Sequence, residues 1–473
     1  MTTRHCLIAL VFAGSAIVVL PASEPAGIVQ QSVPPPQQPQ QQSEYSVEIK
    51  GAGGNKPRLA VPEFTVATAT PELQQAATTI STVLWDDLDF EEEYYMLPRD
   101  AAAKVPAASS PETLAYDRWS ELGVDAVLLG TVRQTGAGLE VEVRLIGTRG
   151  DAARKQAFGN KYSGCTLKSP RFCAHYISDD FYKKQRNLDG VARTRLAFAS
   201  DRTNELATGR IAGNSSQEIY IADYDGANPQ RITANRSLNL APSWSPDGRS
   251  LAYASYTTHF PDIYLQSITD IRLTKPAGGS DVIHNQMPAW SPNGARIAFA
   301  SIRGASHSFN IYVMNRDGSN LQQLTTGPGD NISPAWSPSG SQIVFVSGRS
   351  GQPQLYVIGA DGAGLQRLQC GEQQCDRPTW SAATNKIAYT CGTTSGYDIC
   401  LLDMGSGQII KLTDGLGSNE QPSFAPNGRH VVFVTTRWGK SQLAMADIRG
   451  NVSRRHITDI GNNKHPNWSR TPQ

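Results

Sequence analysis

Pro242-Ser-Trp244-Ser-Pro-Asp-Gly248 returns as Pro288-Ala-Trp290-Ser-Pro-Asn-Gly294 and Pro334-Ala-Trp336-Ser-Pro-Ser-Gly340, and then as Pro378-Thr-Trp380-Ser, Pro422-Ser-Phe424-Ala-Pro-Asn-Gly428 and Pro466-Asn-Trp468-Ser. The aromatic positions lie 46, 46, 44, 44 and 44 residues apart. A fixed period of this length marks a solenoid, propeller or array. Around each Pro-x-Trp strand (A) the period supplies three more. Strand B is apolar, as in Arg296-Ile-Ala-Phe-Ala-Ser301; strand C resembles Asn310-Ile-Tyr-Val313; strand D ends in Leu-Thr, as at Leu324-Thr325. Asp-Gly and Asn-Gly pairs between strands supply the positive φ that tight turns need. One four-stranded blade cannot bury both faces alone, but blades packed in a circle can, leaving only short edges. The repeated Trp then reads as blade-to-blade packing and not as a cofactor platform.

The repeat begins out of phase. Arg195-Leu-Ala-Phe-Ala-Ser200 is a B strand with no A before it, while Pro466-Asn-Trp468-Ser469 is an A strand with no B after it. Joining them completes a sixth blade and predicts a ring closed by strand exchange between the two ends of the propeller, over residues 191–473.

The chain has 43 basic and 42 acidic residues in 473, which leaves no electrostatic footprint for nucleic acid. Arg4 followed by the apolar run Cys6 to Leu20 and small residues at Ala22 and Ser23 reads as an export signal, 1–23, shorter than the roughly 20 apolar residues of a membrane span. Export and signal removal predict a periplasmic protein, delivered by a Sec-type route and without direct membrane insertion; an uncleaved anchor is the alternative. Residues 24–55 form a Gln/Pro/Gly-rich spacer with an extended segment at 45–50. Six further cysteines fall into local pairs, Cys165 with Cys173, Cys370 with Cys375 and Cys391 with Cys400; many connectivities are open, and proximity favours these. An even number suits an oxidising compartment.

From 56 to 190 the pattern is that of a small α/β domain: a strand at Arg58–Val61, a helix capped by Thr70, a strand at Tyr94–Leu97, a helix from Ser110 to Gly123, strands at Val124–Val132 and Leu139–Leu145, and a helix over Arg171–Leu188. The run Asp86 to Glu93 holds six acids in eight residues. It reads as a solvated surface, with a partner-binding patch as the alternative.

At this level of detail the chain resembles the TolB family, periplasmic propeller proteins of the bacterial Tol–Pal system. Leu59-Ala-Val-Pro-Glu-Phe64, Gly123-Val-Asp-Ala-Val127, Arg193-Thr-Arg-Leu-Ala-Phe198 and Asp223-Tyr-Asp-Gly226 carry the resemblance, which extends over about 45–473. It implies an α/β N-terminal domain followed by an all-β six-bladed propeller, and a non-enzymatic scaffold supporting outer-membrane integrity and cell division. It also implies binding of a Pal-like peptidoglycan-associated lipoprotein by the propeller. A TolA-like inner-membrane protein would meet the N-terminal segment, here Tyr45, Val47, Glu48 and Ile49, whose alternation suits pairing with a sheet edge; an internal strand or ordered tail is the alternative. The chain departs from the family pattern in the spacer before that segment, in Cys165 and Cys173, and in the Trp380-Ser-Ala-Ala turn.

Strand direction places the A–B and C–D turns on one side of a propeller and the B–C and D–A loops on the other. The second group is longer and more varied, and variable loops on a rigid scaffold are where binding residues sit. The expected contact set is the residues before each Pro-x-Trp: Asn239 and Leu240; His284, Asn285 and Gln286; Asn331, Ile332 and Ser333; Asp376 and Arg377; Glu420 and Gln421; Lys464 and His465. The resemblance implies that His284-Asn285 corresponds to a His-Asn pair at the family's partner-facing rim. A monomer with no cofactor and no metal is expected. Two rivals remain. A carbohydrate- or peptidoglycan-binding propeller would share the loops, although this mouth has no aromatic platform. A propeller-based metal-dependent lyase would need several converging His residues. No Gly-x-Ser-x-Gly elbow occurs, which argues against a serine hydrolase.

Overall fold

The computed structural model describes residues 49–51, 55–209, 212–258, 260–268, 273–274, 282–371, 374–394, 396–449 and 455–470. The expected signal, 1–23, and most of the expected spacer, with Tyr45, Val47 and Glu48, lie outside the described residues. No helix among the described residues is long and apolar enough to cross a membrane.

The α/β domain is built from β1 (Arg58–Ala60), β2 (Thr65–Val66), α1 (Pro71–Phe90), β3 (Tyr95–Met96), α2 (Arg99–Ala102), α3 (Tyr116–Glu121), β4 (Ala126–Thr135), β5 (Gly138–Gly147), β6 (Gln156–Cys165) and α4 (Pro170–Arg186). The sheet order is β3-β1-β4-β5-β6, with β2 also on β4. Alternation along β4 feeds two cores: Ala126, Leu128 and Val132 face α1 and α4, whereas Val127 and Leu129 pack under Trp119 and Leu114. Thr70 caps α1 by accepting from the Leu73 N–H at 3.3 Å. Sequence patterning missed β6. Gly159, Asn160, Lys161 and Gly164 interrupt its apolar positions, and it pairs only with β5, as an edge strand does. Cys165 at its end is bonded to Cys173 in α4.

Six four-stranded sheets follow. Blade 1 joins Asn463–Trp468, from the C-terminal end, to Arg195–Ser200, Glu218–Asp223 and Gln230–Arg231. Antiparallel register pairs Asn463 with Ser200 and Trp468 with Leu196. The ring therefore closes by strand exchange. Blades 2 to 6 have their A strands at Asn239–Trp244, Val282–Trp290, Asn331–Trp336, Cys375–Trp380 and Asn419–Phe424. Trp290 packs with Ala252 and Ile263 of blade 2 and with Phe299 of its own blade, so the repeated aromatic bridges neighbours. Burying such a side chain contributes about 2–3 kcal/mol.

The acidic run is only in part a solvated surface: Asp89 is exposed, but two of its acids are not. Asp87 and Glu91 are buried, 1% and 3% exposed, and join the domains. Asp87 accepts from Tyr224 Oη at 2.7 Å and faces His175 Nδ1 at 2.8 Å. Glu91 meets His430 Nε2 at 3.1 Å, and Glu93 pairs with Arg429 at 2.6 Å and Arg449 at 3.2 Å. Phe90 lies between the rings of Tyr224 and His430, at 5.1 and 4.4 Å. Charges taken out of water need partners. Here the partners come from the C–D turn of blade 1 and the turns of blade 6, which sequence position alone does not place beside α1.

Candidate partner-binding face

The residues the α/β domain touches belong to A–B and C–D turns. The opposite face carries the B–C and D–A loops around the channel mouth. Its exposed large apolar side chains form an arc over blades 5, 6 and 1: Tyr397 and Leu416, Trp438, then Ile460 and Leu206. Over blades 2 and 3, Phe260 and Phe309 flank the half-buried His284 at 5.3 and 6.0 Å, and burial lowers the His284 pKa.

Apart from His284, the expected contact residues divide into three groups. In the first, Asn239, Asn285 and Asn331 are fully buried, at 0% exposure, and so are Asn419 and Asn463 at the same repeat position. Each amide donates to a side-chain acceptor on strand C of the preceding blade: Glu218 at 2.9 Å, Asp262 at 2.8 Å, Asn310 at 3.1 Å, Asp398 at 3.0 Å and Gln442 at 3.1 Å. Ser255, Ser301 and Ser347 at the ends of the B strands donate back to Asn239, Asn285 and Asn331 at 2.7, 2.6 and 2.8 Å. These asparagines clamp the seams between blades and offer no surface to a partner. The expectation of direct contact is not met for Asn239, Asn285 and Asn331, because a buried amide must be hydrogen-bonded and the neighbouring blade supplies the groups.

The seam between blades 4 and 5 has no such asparagine. Cys375 takes its place and is bonded to Cys370, while Cys391 stands where four other blades have Ser and blade 6 has Thr435, and is bonded to Cys400. Two of the three disulfides thus sit where the polar clamp is missing.

A second group lines the channel. The residue before each proline, namely Ala241, Met287, Ser333, Arg377, Gln421 and His465, has φ between 50° and 58° and sits at a bulge in strand A. All six line a cavity of about 150 Å³. Left-handed backbone costs a non-glycine residue about 1–2 kcal/mol, and here the bulge imposes it six times. The His465 backbone N–H donates to Gln421 Oε1 at 2.7 Å. Burial, with Arg377 and Lys464 nearby, holds the His465 imidazole well below its usual pKa, so it is neutral at pH 7. Ala241 and Met287 were missed: Leu240 and Gln286, one place earlier, were chosen instead. The signal was the position directly before Pro, which the repeat displays throughout.

The third group, Leu240, Gln286, Ile332, Asp376, Glu420 and Lys464, is partly exposed. Ile332 and Leu240 also pack on blade cores, and Glu420 accepts from Ser418 Oγ at 2.6 Å. In the N-terminal segment, Ile49 is 5% exposed within the α/β core. Among the described residues no group of three or more His, Cys, Asp or Glu is arranged to hold a metal ion.

With turns of blades 6 and 1 bound to its own α/β domain and exposed apolar loops on the opposite face, the molecule belongs to the class of two-domain β-propeller proteins. The comparisons make this specific. The TolB beta propeller domain matches residues 182–472, more than half of the chain, and the TolB amino-terminal domain matches 45–153. A Tol-Pal system protein TolB from Bordetella pertussis is 36% identical over 430 residues, covering 90% of this chain and 91% of that protein. One from Bordetella avium is 37% identical over 428 residues, 90% of each chain. A more distant relative of the same name, from Desulfosudis oleivorans, matches 48% of this chain and 49% of its own length at 32% identity. The crystal structure of TolB from Acinetobacter baumannii superposes with a TM-score of 0.74 at 23% identity, covering 88% of this chain and 97% of that one, which shows the shared fold. The chain belongs to the TolB family.

Proposed function

We propose that this protein is a non-enzymatic scaffold of a Tol–Pal envelope system, exported to the periplasm by a Sec-type signal, where it supports outer-membrane integrity and cell division. The loop face of the propeller receives a Pal-like peptidoglycan-associated lipoprotein. The observation that carries this reading is the division between the faces: turns of blades 6 and 1 are occupied by the α/β domain, while the loop face presents Leu416, Trp438 and Ile460, 58%, 43% and 59% exposed, beside the channel mouth. Exposed aromatic and aliphatic anchors around polar groups such as Glu420 and Lys464 are the chemistry of a protein contact. The three disulfides suit an oxidising compartment. The segment Tyr45 to Lys50 meets a TolA-like inner-membrane protein; with Ile49 held in the core, that contact uses the residues before it or requires Ile49 to leave.

Calorimetry with the soluble domain of a Pal-like lipoprotein tests the main claim. Trp438→Ala and Leu416→Ser should each weaken binding by about tenfold or more, about 1.4 kcal/mol, while leaving the melting temperature unchanged. Unchanged affinity, or retention on peptidoglycan with no protein bound, would overturn it.

A further inference from the structure

On the turn face, away from the α/β domain, a cavity of about 630 Å³ opens between the A–B turns of blades 2 and 3. Arg195, Arg249, Arg316 and Arg470 line it together with Trp244, and among the described residues Asp247 is the one carboxylate in its wall. Asp247 is already engaged locally, accepting from Ser245 Oγ at 2.5 Å and from the Arg249 N–H at 3.0 Å. The arginines are weakly answered. Arg470 Nη1 donates to the Pro292 carbonyl at 3.2 Å, Arg316 Nη2 donates to Ser250 Oγ at 3.4 Å, and the Arg316 guanidinium lies over the Trp290 ring at 5.4 Å; Asp247 is near enough to Arg316 and Arg249 to feel their charge, but among the described residues none of the four arginines forms a direct ion pair. The Trp244 indole N–H is buried without a hydrogen-bond partner, in a residue 6% exposed that forms part of the same wall.

The repeat sharpens the point. Arg316 follows a C strand, where the other blades place Tyr224, Ile268, Ala360, Met404 and Ile448. Arg470 occupies the position of Pro246, Pro292, Pro338, Ala382 and Pro426. Both are departures toward positive charge at one place on the ring. Arg249 has a counterpart in Arg429 of blade 6, at the same turn position, and Arg429 is held by Glu91 and Glu93 of the α/β domain. The same face therefore shows how its turn arginines are satisfied, by carboxylates from outside the propeller, and shows a second group of four that has Asp247 as its one neighbouring carboxylate among the described residues.

We propose that this pocket binds a small polyanion carrying two or more phosphate or carboxylate groups. The guanidinium fork matches either oxyanion bidentately. The volume lies within the roughly 300–1,000 Å³ of small-molecule sites and exceeds what a single ion fills. Trp244 supplies ring surface beside the charges. The proposal does not depend on the Tol–Pal reading.

Calorimetry on the full chain at low ionic strength, with pyrophosphate and citrate as separate probes, tests it. Saturable one-to-one binding of either probe supports the site; pyrophosphate alone points to phosphate ligands, citrate alone to carboxylates. Arg470→Pro, which restores the repeat residue, and Arg249→Gln should each weaken binding by about tenfold without moving the melting temperature, and added salt should weaken it further. Absence of heat with both probes at millimolar concentration, or binding indifferent to both variants, would overturn the proposal.

Discussion

The seam between blades 3 and 4 and the seam between blades 4 and 5 solve one problem with different chemistry. At the first, Asn331 reaches across to Asn310 and is held from behind by Ser347 and Arg349, at 2.8 and 2.9 Å. At the second, Cys375 occupies the asparagine's place and is tied to Cys370. Both keep the backbone bond that starts strand A, Asn331 N–H to Phe309 O and Cys375 N–H to Pro353 O. The difference teaches that the repeat specifies a junction and not a residue. A buried polar cluster stabilises only when each member is satisfied, whereas a covalent link needs no such set.

The seam that would show most is the one between the two ends of the propeller. Removing 463–473 takes away the A strand of blade 1, including Trp468, whose indole N–H donates to Thr194 Oγ1 at 2.7 Å. The propeller should lose cooperative unfolding or melt far below the intact chain; an unchanged melting temperature would break the closed-ring account. Next in size, Asn331→Ala leaves Asn310, Ser347 and Arg349 with unmet groups and should cost about 2–4 kcal/mol by urea unfolding, more than one lost exposed hydrogen bond. If the loss is within about 0.5 kcal/mol, the clamp contributes little to stability. The double change Cys370→Ser with Cys375→Ser opens a short loop and should cost about 2 kcal/mol, with sensitivity to reductant abolished at that seam.

The smallest effect belongs to the joint between the α/β domain and blade 1. Despite its burial, His175 has a raised pKa, because Asp87 is beside it and hydrogen-bonded to it. Its contribution is then fully present below the ordinary histidine range and is lost as pH rises through the folded-state value. The wild type should lose stability as pH rises above about 6.5, and His175→Gln should flatten that slope in melts followed across pH 6–9. An identical slope in the variant would show that the joint is not ionisable in this range. His465 has the opposite sign: its depressed pKa means stability lost as pH falls below the ordinary histidine range.

The blade count, the strand exchange and the packing role of Trp244, Trp290 and Trp336 were legible because a period of 44–46 residues repeats the same local pattern, and each copy must bury the same faces. The channel ring was nearly legible, displaced by one residue in two blades. The acidic run and the asparagines were not. Asp87 and Glu91 look like any solvated acids until Tyr224 and His430 stand opposite them, and Asn331 looks like a loop residue until Asn310 of the preceding blade meets it.

Periodicity and side-chain pattern, which are properties of neighbours along the chain, were enough to establish the ring, its closure and the α/β partner domain. Which polar groups lie inside and which face outward depended on contacts between residues as far apart as Glu91 and His430. Burial of a charge or an amide depends on what folds against it, and one strand's sequence does not contain that information.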